Sequence, residues 1–260
     1  MGKKSTLSFC IITQDMAHFL GHTLENIVDL ADEIVVVDGG SVDGTIELAR
    51  QFQRVRLIQR RFDGNFAAQK NFAMDAATSD WVMIIDADEL LSDRLRAQIP
   101  RLIASRFLDW YKFPRYWVVS ATPWRFVKSE KHYPDFQLRL FRNDRFFRYP
   151  DRSIVHTHFP REGRGLGRKV RDGHIFHCDF MLKGRRQRER KVQWYLKLDP
   201  PSAETSQMYL YEDRPFELVL CEDRVSTLSA SRLTMLEQDL RARRDGEVAM
   251  PQPMKAAASS

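Results

Sequence analysis

The sequence predicts an α/β protein built on a doubly wound, mostly parallel sheet, and three observations predict it. Strand-length apolar runs alternate with segments of helical period through the first hundred residues. Two of those runs, Ile34-Val-Val-Val-Asp38 and Val82-Met-Ile-Ile-Asp86, end in a carboxylate followed by a turn. Beyond Ile103 the pattern changes to crowded aromatic and basic residues, and Gln137-Leu-Arg-Leu-Phe-Arg142 alternates polar and apolar like an antiparallel strand.

Taken in order, Leu7 to Thr13 has the length of a buried strand, and residues 17–30 carry Phe19, Leu20, Leu24, Ile27, Val28 and Leu30 at helical spacing. Glu33 to Asp38 is nearly continuous in β-branched residues, as a parallel strand covered on both faces should be. Gly39-Gly40-Ser41 breaks the pattern. A helix over 42–52, a strand over 55–59, a helix over 66–77 and a strand over 81–86 follow. Mixed sheet and long loops are expected from 110 to 149, then a basic amphipathic segment over 183–198 and a last helix over 225–244. From Gly246 onward the chain has no amphipathic period and carries two prolines, so a flexible end is expected.

At 260 residues the chain supports one substantial core and is too short for two ordinary catalytic domains and a linker. A hydrophobic fraction of 43% and an aromatic fraction of 11% exclude general disorder. The net charge of +6 favours anionic partners: nucleotides, nucleic acid or a phospholipid surface. Cys10, Cys178 and Cys221 are too few and too scattered for a disulfide framework, and neither a secretory signal nor a spanning helix is evident. A cytoplasmic protein is expected, soluble or peripheral on the inner face of the cytoplasmic membrane.

In open α/β sheets ligands sit outside the carboxyl ends of the strands, so Asp38 and Asp86 should share one crevice. Asp86 and Asp88 are two apart in Asp86-Ala-Asp88-Glu89, so an extended turn lets both converge on one hard cation such as Mg²⁺ or Mn²⁺. Ser41 to Thr45 reads as a capped turn, with Asp43 or Ser41 capping the following helix. His156, His158, His174 and His177 form a cluster whose spacing does not suit a closed zinc site.

The motifs Ile34-Val-Val-Val-Asp-Gly-Gly-Ser-Val-Asp-Gly-Thr45, Gly64-Asn-Phe-Ala-Ala-Gln-Lys-Asn71 and Trp81-Val-Met-Ile-Ile-Asp-Ala-Asp-Glu89, in that order, resemble family 2 glycosyltransferases of the GT-A fold, especially lipopolysaccharide-core β-glucosyltransferases. The resemblance covers about the first hundred residues and, less closely, Tyr133 to Arg142. It implies a Rossmann-like, mostly parallel sheet with a mixed C-terminal part and a helical tail. It also implies a GT-A catalytic domain over 1–180, divided into a nucleotide-sugar half (1–105) and an acceptor half (106–180), then a basic helical extension over 181–245 and the tail 246–260. Thr13 and Asp38 match positions that hold the donor's base and ribose, Asp86 the carboxylate near the ribose, Lys70 a group close to the donor, and Asp88 the metal ligand. His156 or His177 resembles the histidine that completes a metal site. Where such enzymes often read Thr-Lys-Asn-Glu after the first strand, this chain reads Thr13-Gln-Asp-Met16.

The implied partners are a nucleotide-sugar donor, a divalent cation, a glycan or lipid-linked acceptor and an anionic membrane surface for the basic helix, with no nucleic acid. Inverting transfer needs a general base, for which Asp135 is the candidate, with Asp151 and Glu130 competing. Other readings compete with this one. A dehalogenase-type phosphatase also uses Asp-x-Asp, but near the N-terminus and with Thr or Val where this chain has Leu90. A nucleic-acid module would use the arginine run with Trp110, Tyr111, Tyr116, Trp117 and Trp124 as stacking rings. A degenerate family member that binds donor without transfer is a further alternative.

Overall fold

The computed structural model describes residues 4–150, 155 and 165–229, together with 232, 234, 236 and 238. β1 (Leu7–Thr13) lies between β2 (Glu33–Asp38) and β4 (Trp81–Ile84), parallel to both, and β3 (Val55–Gln59) continues the parallel side beyond β2. On its other edge β4 pairs antiparallel with β8 (Asp135–Arg142), and the sheet runs on through β6 (Trp110–Ala121), β7 (Trp124–Lys128) and β11 (Glu217–Leu220). Three short strands complete it: β5 (Glu89–Leu91), β9 (Gly167–Lys169) and β10 (Ile175–His177). β10 is parallel to β6 and antiparallel to β5. The parallel half therefore merges into an antiparallel half across β4 and β8.

Alternation along the parallel strands feeds two cores. Leu7, Phe9, Ile11, Ile34, Val36, Trp81 and Met83 face one side, where α1 (Leu20–Ile27), α2 (Thr45–Ala49) and α4 (Asp93–Ile103) pack. Cys10, Val35, Val37, Val82 and Ile84 face the other, under α3 (Phe66–Ala76). Both faces are covered, which is why these strands read as apolar without a break.

Element boundaries differ from the sequence expectations for identifiable reasons. The first helix starts at Leu20 rather than 17, because the Ala17 N–H bonds to Asp43 Oδ2 (3.0 Å) and residues 17–19 are held in a turn. The second starts at Thr45 rather than 42, because Asp43 Oδ1 accepts from the Thr45 N–H (3.1 Å) and Gly44 takes a φ of 93°. Strand β4 stops at Ile84 because Asp86 to Glu89 fold into a turn. Residues 226–228 form a turn, not the start of the last helix, since Asp93 binds the Ser226 N–H at 2.9 Å; residues 232, 234, 236 and 238 are helical. The tail 246–260 lies outside the described residues.

The basic helical stretch expected beyond residue 180 packs against the sheet. α5 (Asp179–Leu182), α6 (Arg185–Leu198) and the segment through α7 (Ala203–Ser206) to Tyr209 share a core with β6 and β7, made of Trp117, Val127, Phe180, Val192, Tyr195 and Tyr209. Residues of the supposed extension thereby form one wall of the cleft.

Candidate active site

A cleft of ≈ 480 Å³ opens at the carboxyl ends of β1 and β4, against the antiparallel half. Thr13, Lys70, Asp86, Asp88, Asp135 and His177 all line it. The turn that carries the two aspartates is tethered along its length. Glu89 accepts from the Asp86 N–H (2.9 Å), Thr23 on α1 donates to the Ala87 carbonyl (2.9 Å), and the Cys178 N–H donates to the Asp88 carbonyl (2.9 Å). These contacts are short, so the carboxylates are preorganised.

Lys70 and Asp86 meet across the cleft floor, Nζ to Oδ1 at 2.9 Å. The flanking residues of the Gln-Lys-Asn motif explain how. Gln69 donates to the Arg60 carbonyl (2.8 Å), and Asn71 exchanges two bonds with the Tyr149 backbone (2.9 and 2.8 Å). These fix α3 and leave Lys70 pointing at Asp86. Beyond Asp86 the charges alternate: Arg139 bonds Asp86 (3.0 Å) and Glu89 (2.7 Å), and Arg115 bonds Glu89 (3.3 Å) and Asp135 (2.7 Å). Burial alone would raise the pKa of Asp86, but Lys70 and Arg139 outweigh it and hold the carboxyl well below its usual range. Burial likewise opposes ionisation of Asp135, and Arg115 with the Gln137 and Trp117 donors overcomes it, so its pKa is also lowered.

Asp88 Oδ1 stands 3.6 Å from His177 Nε2. β10 places that imidazole, because pairing with β5 sets His177 opposite Glu89 and pairing with β6 sets it opposite Trp117. Asp179 completes a group in which one ligand atom from each residue lies within 4.8 Å of the others. The buried Asp179 Oδ2 has no partner among the described residues, as an atom awaiting a cation would, and the carboxylate and imidazole donors suit a divalent ion. These residues fit the implied metal. Asp179 Oδ1 meanwhile takes the ammonium groups of Lys183 and Lys191.

Other expected residues are placed differently. Asp38 is fully buried and is not among the cleft-lining residues: its Oδ1 accepts from the N–H groups of Gly40 (2.9 Å) and Ser41 (3.0 Å), and its Oδ2 takes the Ser41 hydroxyl. Both oxygens of Asp38 thus shape the loop after β2. Gly40 has a φ of 108°, which a side chain would strain. Thr13, next to Asp38 in register, does reach the cleft, and its buried hydroxyl has no partner among the described residues. The capped turn expected at 41–45 also ties the loop after β1 to the loop after β2. Ser41 accepts from the Asp15 N–H, Thr45 from the Met16 N–H, and Asp15 from the Val42 N–H, each at 2.8 Å. Asp15, the departure from the family's usual loop, is thus a clamp and sits at a φ of 53°.

His156 and His158, with Asp151, lie outside the described residues. His174, just before β10, lies away from the cluster and stacks on Tyr116 at 4.0 Å, beside Asp223. Of the five rings that the nucleic-acid alternative would use, Tyr111, Tyr116 and Trp117 are each at most 2% exposed and packed in the core, and Trp110 and Trp124 are half-buried. The basic run is largely spent too. Lys183 and Lys191 bind Asp179, Arg188 binds Glu212, and Arg185 binds Glu189 and Asp213, leaving Arg186, Arg190 and Lys197 on the surface. Among the described residues no helix is long and apolar enough to cross a membrane.

Sequence reasoning gave no role to Arg115, Glu89, Arg139 or Asp179, and to Lys191 only a share in the basic run. Arg139 carried a usable signal, a charge amid the apolar residues of an alternating strand. Lys191 carried none, since it sits in a run of exposed cations.

A parallel half that delivers Asp86-Ala-Asp88 to a cleft walled by an antiparallel half is the GT-A arrangement, and it defines the class. The chain shares its fold with the mannosyltransferase PcManGT of Pyrobaculum calidifontis, solved with GDP-Man and Mn²⁺, at a TM-score of 0.50 and 16% identity over 96% of this chain and 77% of that one. The sequence pattern of glycosyl transferase family 2 matches residues 8–188, and the chain belongs to that family. It is 37% identical over 106 residues to the lipopolysaccharide core biosynthesis glycosyltransferase LpsC of Rhizobium meliloti, covering 39% of this chain and 38% of that one. An uncharacterized glycosyltransferase of Rickettsia felis is 34% identical over 105 residues, covering 40% of this chain and 36% of that one. The match thus spans little more than a third of each relative's length.

Proposed function

We propose that this chain is an inverting glycosyltransferase that moves a hexose from a nucleoside diphosphate sugar, a UDP-sugar foremost, to a surface glycan or lipid-linked acceptor such as lipopolysaccharide core. One observation carries the reading: Asp88 and His177 stand 3.6 Å apart, with Asp179 beside them, in the cleft that also holds Lys70 and Asp86. The likeness to LpsC supports the acceptor class.

Asp88 and His177 would hold a divalent cation, with Asp179 adding its unpartnered oxygen. When bound it supplies positive charge to the leaving diphosphate. The imidazole favours Mn²⁺ over Mg²⁺, which prefers an all-oxygen shell. Thr13 and Gln14 line the end of the cleft suited to the nucleoside, and Asp86, held rigid by Lys70 and Arg139, is positioned for a ribose hydroxyl. Asp135, ionised at neutral pH, lines the opposite wall and accepts the acceptor's hydroxyl proton. The acceptor oxygen bonds to the anomeric carbon as the bond to the diphosphate oxygen breaks, its electron pair leaving with the phosphate. Arg115 and Trp117 aim Asp135 but also lower its basicity.

Calorimetric titration with UDP, GDP and UDP-glucose, with and without Mn²⁺, tests the donor site. Binding should need both the metal and Asp88, and Asp88→Ala should abolish it with the fold intact. Asp135→Asn should spare donor binding and remove turnover. Equal loss of binding in both variants would sink this division of roles.

A further inference from the structure

We propose that Lys191, brought into the cleft by α6, is a diphosphate-binding residue of this enzyme. The inference rests on the reading of the cleft as a nucleoside diphosphate sugar site. Lys191 is 8% exposed, yet it lines the cleft. Its Nζ lies 2.7 Å from Asp179 Oδ1 and 4.0 Å from the centre of the Tyr209 ring. An ammonium has three N–H donors. Asp179 accepts from it, and the rest of the ammonium faces the Tyr209 ring and, at 5.5 Å, the Tyr195 ring.

The remaining cations of the cleft are committed. Lys70 is held by Asp86, Arg139 by Asp86 and Glu89, Arg115 by Glu89 and Asp135, and Lys112 also has a partner. Along that chain each cation is matched by a carboxylate. Asp179 is different because Lys183 and Lys191 share one of its oxygens, so two cations face one carboxylate. Asp88, beside them, supplies the second negative charge. A divalent cation held there, together with the two lysines, exceeds the charge of Asp88 and Asp179 by two, which matches the two negative charges of a donor diphosphate. Lys183 is not among the cleft-lining residues, so of the two lysines Lys191 is the one placed to make the contact.

Mn²⁺ with inorganic pyrophosphate is the probe, because it reports the diphosphate subsite without regard to the base. Calorimetry on the full chain should show pyrophosphate binding weakened tenfold or more in Lys191→Gln, with affinity for Mn²⁺ alone unchanged within threefold. Lys191→Arg should bind within threefold of wild type. Lys183→Gln removes the other ammonium from the same Asp179 oxygen and should also stay within threefold. Equal losses in the two glutamine variants would reduce Lys191 to an anchor for Asp179 and overturn the proposal, as would wild-type affinity in Lys191→Gln. If Lys191→Gln does not fold, lysine acylation footprinting of the wild-type protein decides. Mn²⁺-pyrophosphate should slow labelling of Lys191 and leave Lys183 unchanged, and an unprotected Lys191 would refute the role. A wild-type protein that fails to bind Mn²⁺-pyrophosphate would overturn the donor-site reading itself, a result distinct from wild-type affinity in the variant.

Discussion

Glu89→Gln is the most informative single substitution away from the reacting groups. Glu89 is fully buried at the centre of the alternating chain, accepting from Arg139 at 2.7 Å, Arg115 at 3.3 Å and the Asp86 N–H at 2.9 Å. Glutamine keeps the volume and one acceptor oxygen but removes the charge, so two buried guanidinium groups lose their shared counter-ion. Removing one partner of a buried ion pair costs about 3–5 kcal/mol, because the charges left behind remain desolvated. At roughly 2–4 °C per kcal/mol for a domain of this size, Tm should fall by about 6–20 °C. Urea unfolding monitored by tryptophan fluorescence should show a lower midpoint with an unchanged slope. Donor binding should weaken as well, since Glu89 and Arg139 together set the position of Asp86. A loss below about 1 kcal/mol would refute the reasoning and show that water or a rearranged arginine replaces the carboxylate.

Three further outcomes are expected. The pKa values of Asp86 and Asp135 are lowered on folding, so their stabilisation is complete above the unfolded carboxylate value of about 3.9 and is lost as pH falls through the folded values. Urea midpoints should therefore drop steeply below about pH 4, and Asp135→Asn should flatten that slope; an unchanged slope would remove Asp135 from the linkage. Burial pushes the thiols of Cys10 and Cys178 well up, and that of Cys221 up to about 12. At pH 8 the native protein should react slowly with a thiol reagent and rapidly once denatured, and a fast native phase would contradict that burial. Gly173→Ala should cost at least about 1–3 kcal/mol in the urea midpoint, because residue 173 has a φ of 106° and a Cβ there would meet the Leu95 backbone at 2.8 Å.

The parallel half was legible because its physics is local. β-branched runs of strand length, separated by helical period and ending in carboxylates, left few architectures for residues 7–86. Asp86-Ala-Asp88 was legible for the same reason, a short acidic turn after a buried strand. Asp38 shows where local reasoning stops, since a carboxylate at a strand end does not reveal that it also binds its own loop. Its contacts with Gly40 and Ser41 come from the folded loop.

By itself the sequence determined the order of strands and helices in the first hundred residues, the acidic turn and the family resemblance, because each depends on neighbours within a few positions. Tertiary structure alone decided which distant charges meet. Arg115, Asp135 and Arg139 come from two strands beyond residue 105, yet they continue an ion-pair chain that begins with Lys70 and Asp86. Lys191 looked like one cation in a solvated run until α6 packed against β6 and buried it beside Asp179. Charge pairing acts through space and is set by how the antiparallel half closes on the parallel one, which no local spacing in the chain encodes.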